Sequence, residues 1–204
     1  MHPSDVPSPI DLCDTADARE WERTAQSRPG RAEMFQAFAN QLGRLGRSDI
    51  RVLDLGAGPG FLAEFLLTQH AQLTISLLDF SAPMHELAQI RLKSHATQVR
   101  YLHRSFKDPS WIDGIGPFDA VVTNQAVHEL RHKRYAEALH CQVRAVLASD
   151  GTYLVCDHFY GDGGMSNDQL YMSISEQRDA LSNAGFKSVQ QIHRIGTLVM
   201  HRAA

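Results

Sequence analysis

Three clusters in this chain have the residue types and the spacing to do chemistry. The first is Asp54-Leu55-Gly56-Ala57-Gly58-Pro59-Gly60. There an apolar run (50–55) breaks into glycines at alternate positions and restarts as Phe61-Leu62-Ala63-Glu64-Phe65-Leu66-Leu67, the pattern of a buried strand, a tight turn and a helix start. Glycine lets backbone approach a ligand closely and tolerates positive φ. Amides at a helix start are free to meet polar ligand atoms. A nucleotide-like ligand is therefore expected at the carboxyl end of this strand. The second cluster, His128-Glu129, follows the apolar run 118–123, and the third, Asp157-His158, closes the run 151–157. Histidine exchanges protons near neutral pH, so both clusters are candidates for proton transfer. His128-Glu129-Leu130-Arg131-His132 is also a literal H-E-x-x-H, which on a helix would set two histidines on one face for zinc. Its context argues against zinc. It follows a strand where a loop should lead to the next helix, and Tyr135 stands where the longer zinc pattern needs glycine. No metal is expected.

These clusters need a frame. Strand-like runs lie at 50–55, 73–79, 98–103, 118–123, 151–157, 187–193 and 197–202, with helical patterns at 60–70, 82–94, 134–148 and 168–184. Strands alternating with helices of this length imply β-α-β units and a mostly parallel sheet. Ser81 and Pro83 open the helix at 82–94, and Asn183-Ala184-Gly185 closes the last one. The final two strands are joined only by Arg194-Ile195-Gly196, which calls for a hairpin and an antiparallel last strand. Ahead of the sheet, helices are expected from about Ala16 to Ser27 and from about Arg31 to Leu45, split by Pro29-Gly30. The first ten residues carry Pro3, Pro7 and Pro9 and read as a loose tail. The domain division that follows is a tail and helical lid over 1–47 and an α/β domain over 48–204.

With strand, glycine turn, acidic strand end and terminal hairpin in place, residues 31 to 204 resemble the class I S-adenosylmethionine-dependent methyltransferases. Asp54 to Gly60 match the family's cofactor signature, and Leu77-Leu78-Asp79-Phe80-Ser81 matches the motif in which an acid ends the second strand. Phe118 to Leu130 are similar to its fourth strand and following loop, and Leu147 to Val155 look like its helix-to-fifth-strand turn. Ser149-Asp150-Gly151 stand there in place of the usual Pro-Gly-Gly. The resemblance implies a Rossmann-like α/β fold: a seven-stranded, mostly parallel sheet, helices on both faces and a C-terminal antiparallel hairpin. It implies S-adenosylmethionine as cofactor, with S-adenosylhomocysteine as product. Asp79 lies 19 residues past Gly60, where an acid meets ribose hydroxyls. Phe80 and Met84 would enclose the adenine, with Ser105 and Phe106 after the third strand and the Ser105 hydroxyl at the adenine amino group. Asp54, Gly56, Ala57, Gly58, Gly60, Phe61, Asn124 and Gln125 would surround the rest of the cofactor. A dinucleotide fold is the nearest rival, but its G-x-G-x-x-G spacing differs from Gly56-x-Gly58-x-Gly60.

In such an enzyme the strand ends converge on the methyl acceptor. His128 is then the first candidate for a base, His158 the second, with Glu129 beside them. Helices bearing Trp21, Arg23, Arg28 and Arg31 form the natural lid, their arginines being equally explained by an anionic substrate or by an exposed helix face. A net charge of −3 and the lack of a basic stripe with interleaved aromatics argue against nucleic acid, leaving a small-molecule acceptor. Cys13, Cys141 and Cys156 form no disulfide or metal pattern, and the amino terminus lacks the n- and h-regions of a signal peptide. No apolar run approaches the ~20 residues that span a bilayer. A cytoplasmic setting without membrane contact is expected, with oligomeric state open and a homodimer among the possibilities. The alternative from another class is a silent cofactor-binding scaffold.

Overall fold

A computed structural model describes residues 5–25 and 27–204. Seven strands form one sheet: β1 (Arg51–Leu55), β2 (Thr74–Asp79), β3 (Val99–His103), β4 (Phe118–Asn124), β5 (Leu147–His158), β6 (Val189–Ile195) and β7 (Leu198–Ala203). Their order is β3-β2-β1-β4-β5-β7-β6. The chain winds outward from β1 in one direction to β3 and then returns to start again at β4. This reversal opens a crevice at the carboxyl ends of β1 and β4, where ligands settle in open α/β sheets. Strands β1 to β5 pair in parallel, and β7 lies antiparallel between β5 and β6.

The strands read as unbroken apolar runs because both faces of the sheet are covered. Val52, Ile75, Leu77, Ala120 and Val122 join one core cluster; their neighbours Leu53, Leu55, Leu78 and Val121 join the other. The first cluster is closed by α2 (Arg31–Gly43) and α3 (Phe61–Gln69), through Met34, Phe38, Leu42, Leu62 and Leu66. The second is closed by α5 (Ala136–Val146) and α6 (Ile174–Asn183), through Leu139, Val143 and Leu181, together with Trp111. α4 (Ala82–Arg91) follows β2, and α1 (Thr15–Ala25) packs against it. The Rossmann-like mixed sheet with its C-terminal hairpin is thus the architecture the sequence predicts.

Four details differ from sequence expectation. α6 begins at Ile174, not 168, because Ser173 accepts from the Glu176 amide while the Glu176 side chain accepts from the Ser173 amide, a reciprocal cap that sets the first turn. α4 ends at Arg91 and passes into a 3-10 segment, Lys93–Gln98. The stretch Ser149-Asp150-Gly151 belongs to β5, whose pairing with β4 jumps from Phe118–Leu147 to Ala120–Thr152. Lastly, residues 5–7 are held against the domain, whereas 1–4 fall outside the described residues. The Val6 amide donates to the Arg131 carbonyl at 2.8 Å, and the Arg131 guanidinium donates to the carbonyls of Val6 and Pro7 at 2.9 and 2.6 Å. Arg134 pairs with Asp5 at 2.7 Å. Arginine can hold an irregular strand in this way because its planar fork carries several donors.

Candidate active site

The crevice is built from the glycine turn outward. Gly56 has φ 75°, and a Cβ there would stand 2.5 Å from the Ala126 Cβ, so only glycine lets the β1 turn and the β4 loop meet. Gly58 has φ 54° and open space where a Cβ would be. Its amide donates to Asp79 Oδ2 at 2.8 Å, while the Ser81 amide donates to Asp79 Oδ1 at 2.9 Å. The acid at the end of β2 therefore ties the glycine turn to the start of α4.

One cleft gathers Asp54, Gly56, Ala57, Gly58, Phe61, Asp79, Phe80, Met84, Phe106, Asn124, Gln125, His128, Glu129 and His158. Two of the expected cofactor residues lie elsewhere. Gly60 sits behind the cleft as the cap of α3, tight against Ala88 and Leu92. Ser105 does not line the wall; its hydroxyl accepts from the Lys107 amide at 3.2 Å, and Phe106 reaches the cleft instead. That tight turn after β3 is what turns the serine away. The lid residues Trp21, Arg28 and Arg31 do line the cleft, joined by Leu12 and Phe35. Nothing in the sequence marked Leu12, which arrives through the docked amino-terminal segment; the Ser81 hydroxyl donates to its carbonyl.

Two carboxyl and amide oxygens in the cleft wall, Asp54 Oδ2 and Asn124 Oδ1, are buried without a hydrogen-bond partner among the described residues. Buried acceptors left this way are costly, so they point to a ligand that donates to them. Burial and the nearby Asp79 charge push the Asp54 carboxyl up to about 8. Gln125, next to Asn124, adopts φ 58° and donates its amide to the Cys156 carbonyl at 2.7 Å, which turns the chain sharply at the end of β4. These groups fit the ammonium and the polar edges of an amino-acid-bearing nucleoside such as S-adenosylmethionine.

The cleft also holds a histidine pair tied to one carboxylate. Asp157, fully buried at the end of β5, accepts from the His128 amide at 2.8 Å and lies 2.6 Å from His128 Nδ1. Its other backbone contact is the His158 amide at 2.7 Å. Burial alone would lower the His128 pKa, but the charges of Asp157 and Glu129 and their hydrogen bonds outweigh it and raise it to about 10. Glu129 Oε1 stands 3.4 Å from His128 Nε2. His158 goes the other way: burial, with the charges of His128 and Arg28, lowers its pKa despite Asp157. Its Nδ1 lies 2.7 Å from the Thr197 hydroxyl. The two rings are 5.7 Å apart, with Tyr171 packed 5.5 Å from the first and 5.8 Å from the second. Thr197 and Tyr171 carried no signal in the sequence, since one sits in the β6–β7 turn and the other in the connection before α6. The H-E-x-x-H segment forms a 3-10 turn, Val127–Leu130, broken by Arg131 at φ 68°, so His128 and His132 do not share a helical face.

Residues 52–151 match the family model described as a methyltransferase domain. The chain is 22% identical over 176 residues to a malonyl-[acyl-carrier protein] O-methyltransferase of Paenibacillus sp. strain JDR-2, covering 78% of this chain and 63% of that protein. It superimposes on an O-methyltransferase family protein from Burkholderia thailandensis with TM-score 0.77 at 19% identity, over 94% of this chain and 60% of the other. Magnesium protoporphyrin IX methyltransferase from Synechocystis PCC 6803, solved with bound S-adenosylmethionine, superimposes with TM-score 0.66 at 17% identity, over 85% of this chain and 79% of that one. The chain thus spans about three-fifths of the length of the first two proteins. The glycine turn, the acid ending β2 and the strand order all sit inside or around the matched segment, and the chain belongs to the class I S-adenosylmethionine-dependent methyltransferase family.

Proposed function

We propose that this protein methylates a small molecule from S-adenosylmethionine, with His158 as the base that takes the acceptor's proton. The observation that carries the cofactor reading is the pair of orphaned acceptors, Asp54 Oδ2 and Asn124 Oδ1, in the same cleft as the Gly58–Asp79 contact. When bound, the cofactor supplies an electrophilic methyl group on a sulfonium, and the electrons of the broken bond stay on sulfur. Asp54 would receive the ammonium, Asp79 the ribose hydroxyls, and Phe80 and Met84 the adenine faces.

The base assignment follows from electrostatics. His128 is held protonated between Asp157 and Glu129 through neutral pH, so it is a hydrogen-bond donor in the resting protein. His158 is neutral under the same conditions and therefore ready to accept. If its Nδ1–H donates to Thr197, the Nε2 lone pair is left for the acceptor's O–H or N–H proton. Asp157 then acts by fixing the backbone of both histidines and the ring of His128. Proton removal of this kind contributes ~10²–10⁴-fold, and the remaining acceleration comes from alignment in the closed cleft. The Paenibacillus and Burkholderia proteins are named for methylation at oxygen, which supports an oxygen acceptor here.

Calorimetric titration with S-adenosylmethionine and S-adenosylhomocysteine, with NADH as control, tests the cofactor. Saturable binding of both sulfur nucleosides, weakened by Asp79→Ala, is expected. Binding of NADH alone would overturn the reading.

A further inference from the structure

Two cations in the cleft have no acid to answer them. Arg28 and Arg31 both line it, and among the described residues neither forms an ion pair. Arg91, near them, is different: it is fully engaged by Glu22 at 2.5 Å and Glu64 at 3.2 Å. Arg31 has a buried Nε with no hydrogen-bond partner, and its guanidinium lies 4.9 Å over Phe61 and 5.5 Å over Phe35. Arg28 stacks 4.9 Å over Trp21, which orients the group while leaving its N–H edge free. Burial together with the like charges of Arg28 and Arg91 lowers the Arg31 pKa to about 10. Placing cations side by side under a lid, without a carboxylate between them, is unfavourable in the free protein. An arriving anion relieves it.

The two arginines have different neighbours in the cleft. Arg31 is stacked on Phe61, the first residue after the glycine turn, which is the cofactor's side. Arg28 stacks on Trp21 instead and lines the cleft together with His158, whose pKa its charge helps to lower. We infer that the methyl acceptor is an organic anion whose carboxylate or phosphate is bound by Arg28, with its reacting group directed at His158. This rests on the methyltransferase reading above and narrows its acceptor to anionic compounds. A bidentate guanidinium contact at one end and the base at the other would orient the acceptor across the cleft. Arg28 touches substrate in this arrangement and acts as a specificity residue.

S-adenosylmethionine carries a carboxylate of its own, so the test must separate the two sources. The protein saturated with S-adenosylhomocysteine is titrated with small hydroxy- and amino-substituted benzoates and aliphatic carboxylates, each beside its carboxamide, and with the matching phosphate esters. At least one anion is expected to bind about tenfold or more tightly than its neutral partner, a gap that a charge-assisted hydrogen bond accounts for. Arg28→Met should abolish that preference, and Arg28→Lys should restore part of it. Arg28 is exposed, so neither replacement threatens the fold. S-adenosylhomocysteine and 5′-methylthioadenosine, which lacks the amino-acid end, are titrated against the same variants. Cofactor affinity unchanged in Arg28→Met, with the anion preference lost, supports the proposal. Three results overturn it: no anion preferred over its amide, a preference that survives Arg28→Met, or weakened S-adenosylhomocysteine binding with 5′-methylthioadenosine unaffected. The last would assign Arg28 to the cofactor's carboxylate. In each case cofactor binding by the wild-type protein still stands or falls separately.

Discussion

Asp54 sets the sharpest expectation at the level of single residues. Its carboxyl is buried, one oxygen is unpartnered, and its pKa is raised to about 8. If the bound cofactor's ammonium requires the ionised form, every binding event below pH 8 must release a proton. Affinity for S-adenosylhomocysteine should then rise with pH between 6 and 8, by up to about tenfold per unit, and level off above. Calorimetry in two buffers of different ionisation enthalpy would count the proton, and Asp54→Asn should remove both the slope and the release. A flat affinity profile would refute the assignment. The same acid has a stability cost of the opposite sign to the usual carboxylate. Because its folded pKa lies above the unfolded value, the folded state holds the proton more tightly. Stability is lost as pH rises from about 4 through about 8. Asp54→Asn is therefore expected to raise the Tm at pH 8 while weakening cofactor binding, measured by thermal unfolding. A second residue-level expectation concerns His158. His158→Ala should lower kcat by ~10²–10⁴-fold at neutral pH with S-adenosylhomocysteine affinity preserved. The wild-type rate should fall on the acid side only below His158's ordinary titration range, because its pKa is depressed. Much of the residue set that lines the cleft was legible from spacing: Asp54 and Asp79 lie at the ends of apolar runs, and Asn124 and the two histidines follow such runs. Which histidine stays neutral was not legible. That depends on how Asp157 and Glu129 divide themselves in space, and no one-dimensional spacing encodes it.

Elements were legible where local chemistry decides them and blurred where tertiary contacts do. The glycine turn and the Ser81-Pro83 helix start coincide with the observed boundaries because capping is written in a few adjacent residues. The start of α6 was also written locally, in the Ser173–Glu176 pair, yet the polar run before it reads equally as a first helical turn. The amino-terminal segment is the instructive failure. Three prolines predict looseness, but proline denies only backbone donation and leaves the carbonyl free. The Arg131 guanidinium uses the carbonyl of Pro7, and that of Val6 beside it, more than 120 residues away. This segment carries Leu12 to the cleft and hands its carbonyl to Ser81, so it lies across the adenosine side of the site. Deleting residues 1–12 should accordingly speed S-adenosylhomocysteine dissociation by about tenfold, a loss comparable to one or two hydrogen bonds. The unfolding temperature without ligand should move only slightly, since residues 5–12 add no side chain to either core cluster. Stopped-flow dissociation measures the first and a thermal scan the second. An unchanged dissociation rate would mean that the segment is structural trim.

For the molecule as a whole, the lid and the sheet are linked through one helix. α1 contributes no residue to either large core cluster, and its contacts run to α4. α2 is different, although it belongs to the same amino-terminal pair. It places Met34, Phe35, Phe38, Ala39 and Leu42 in the cluster that also holds Val52, Leu66 and Met200. Those residues come from β1, α3 and β7, so α2 closes one face of the sheet rather than resting on its rim. It also carries Arg31 at its first position, tying the cleft wall to the core. Residues before 47 thus supply part of the core that covers the sheet. Burying a side chain such as Leu or Phe contributes ~1.5–3 kcal/mol, and a domain's whole margin is only ~5–15 kcal/mol. Losing the four large ones, Met34, Phe35, Phe38 and Leu42, removes ~6–12 kcal/mol, comparable to the whole margin. A chain reduced to residues 48–204 should therefore be unfolded or aggregated, whereas one beginning at residue 27 should keep a cooperative transition and lose cofactor affinity. Circular dichroism with thermal melting distinguishes the two, and a cooperative melt from the shorter chain would show that the sheet closes its face without α2.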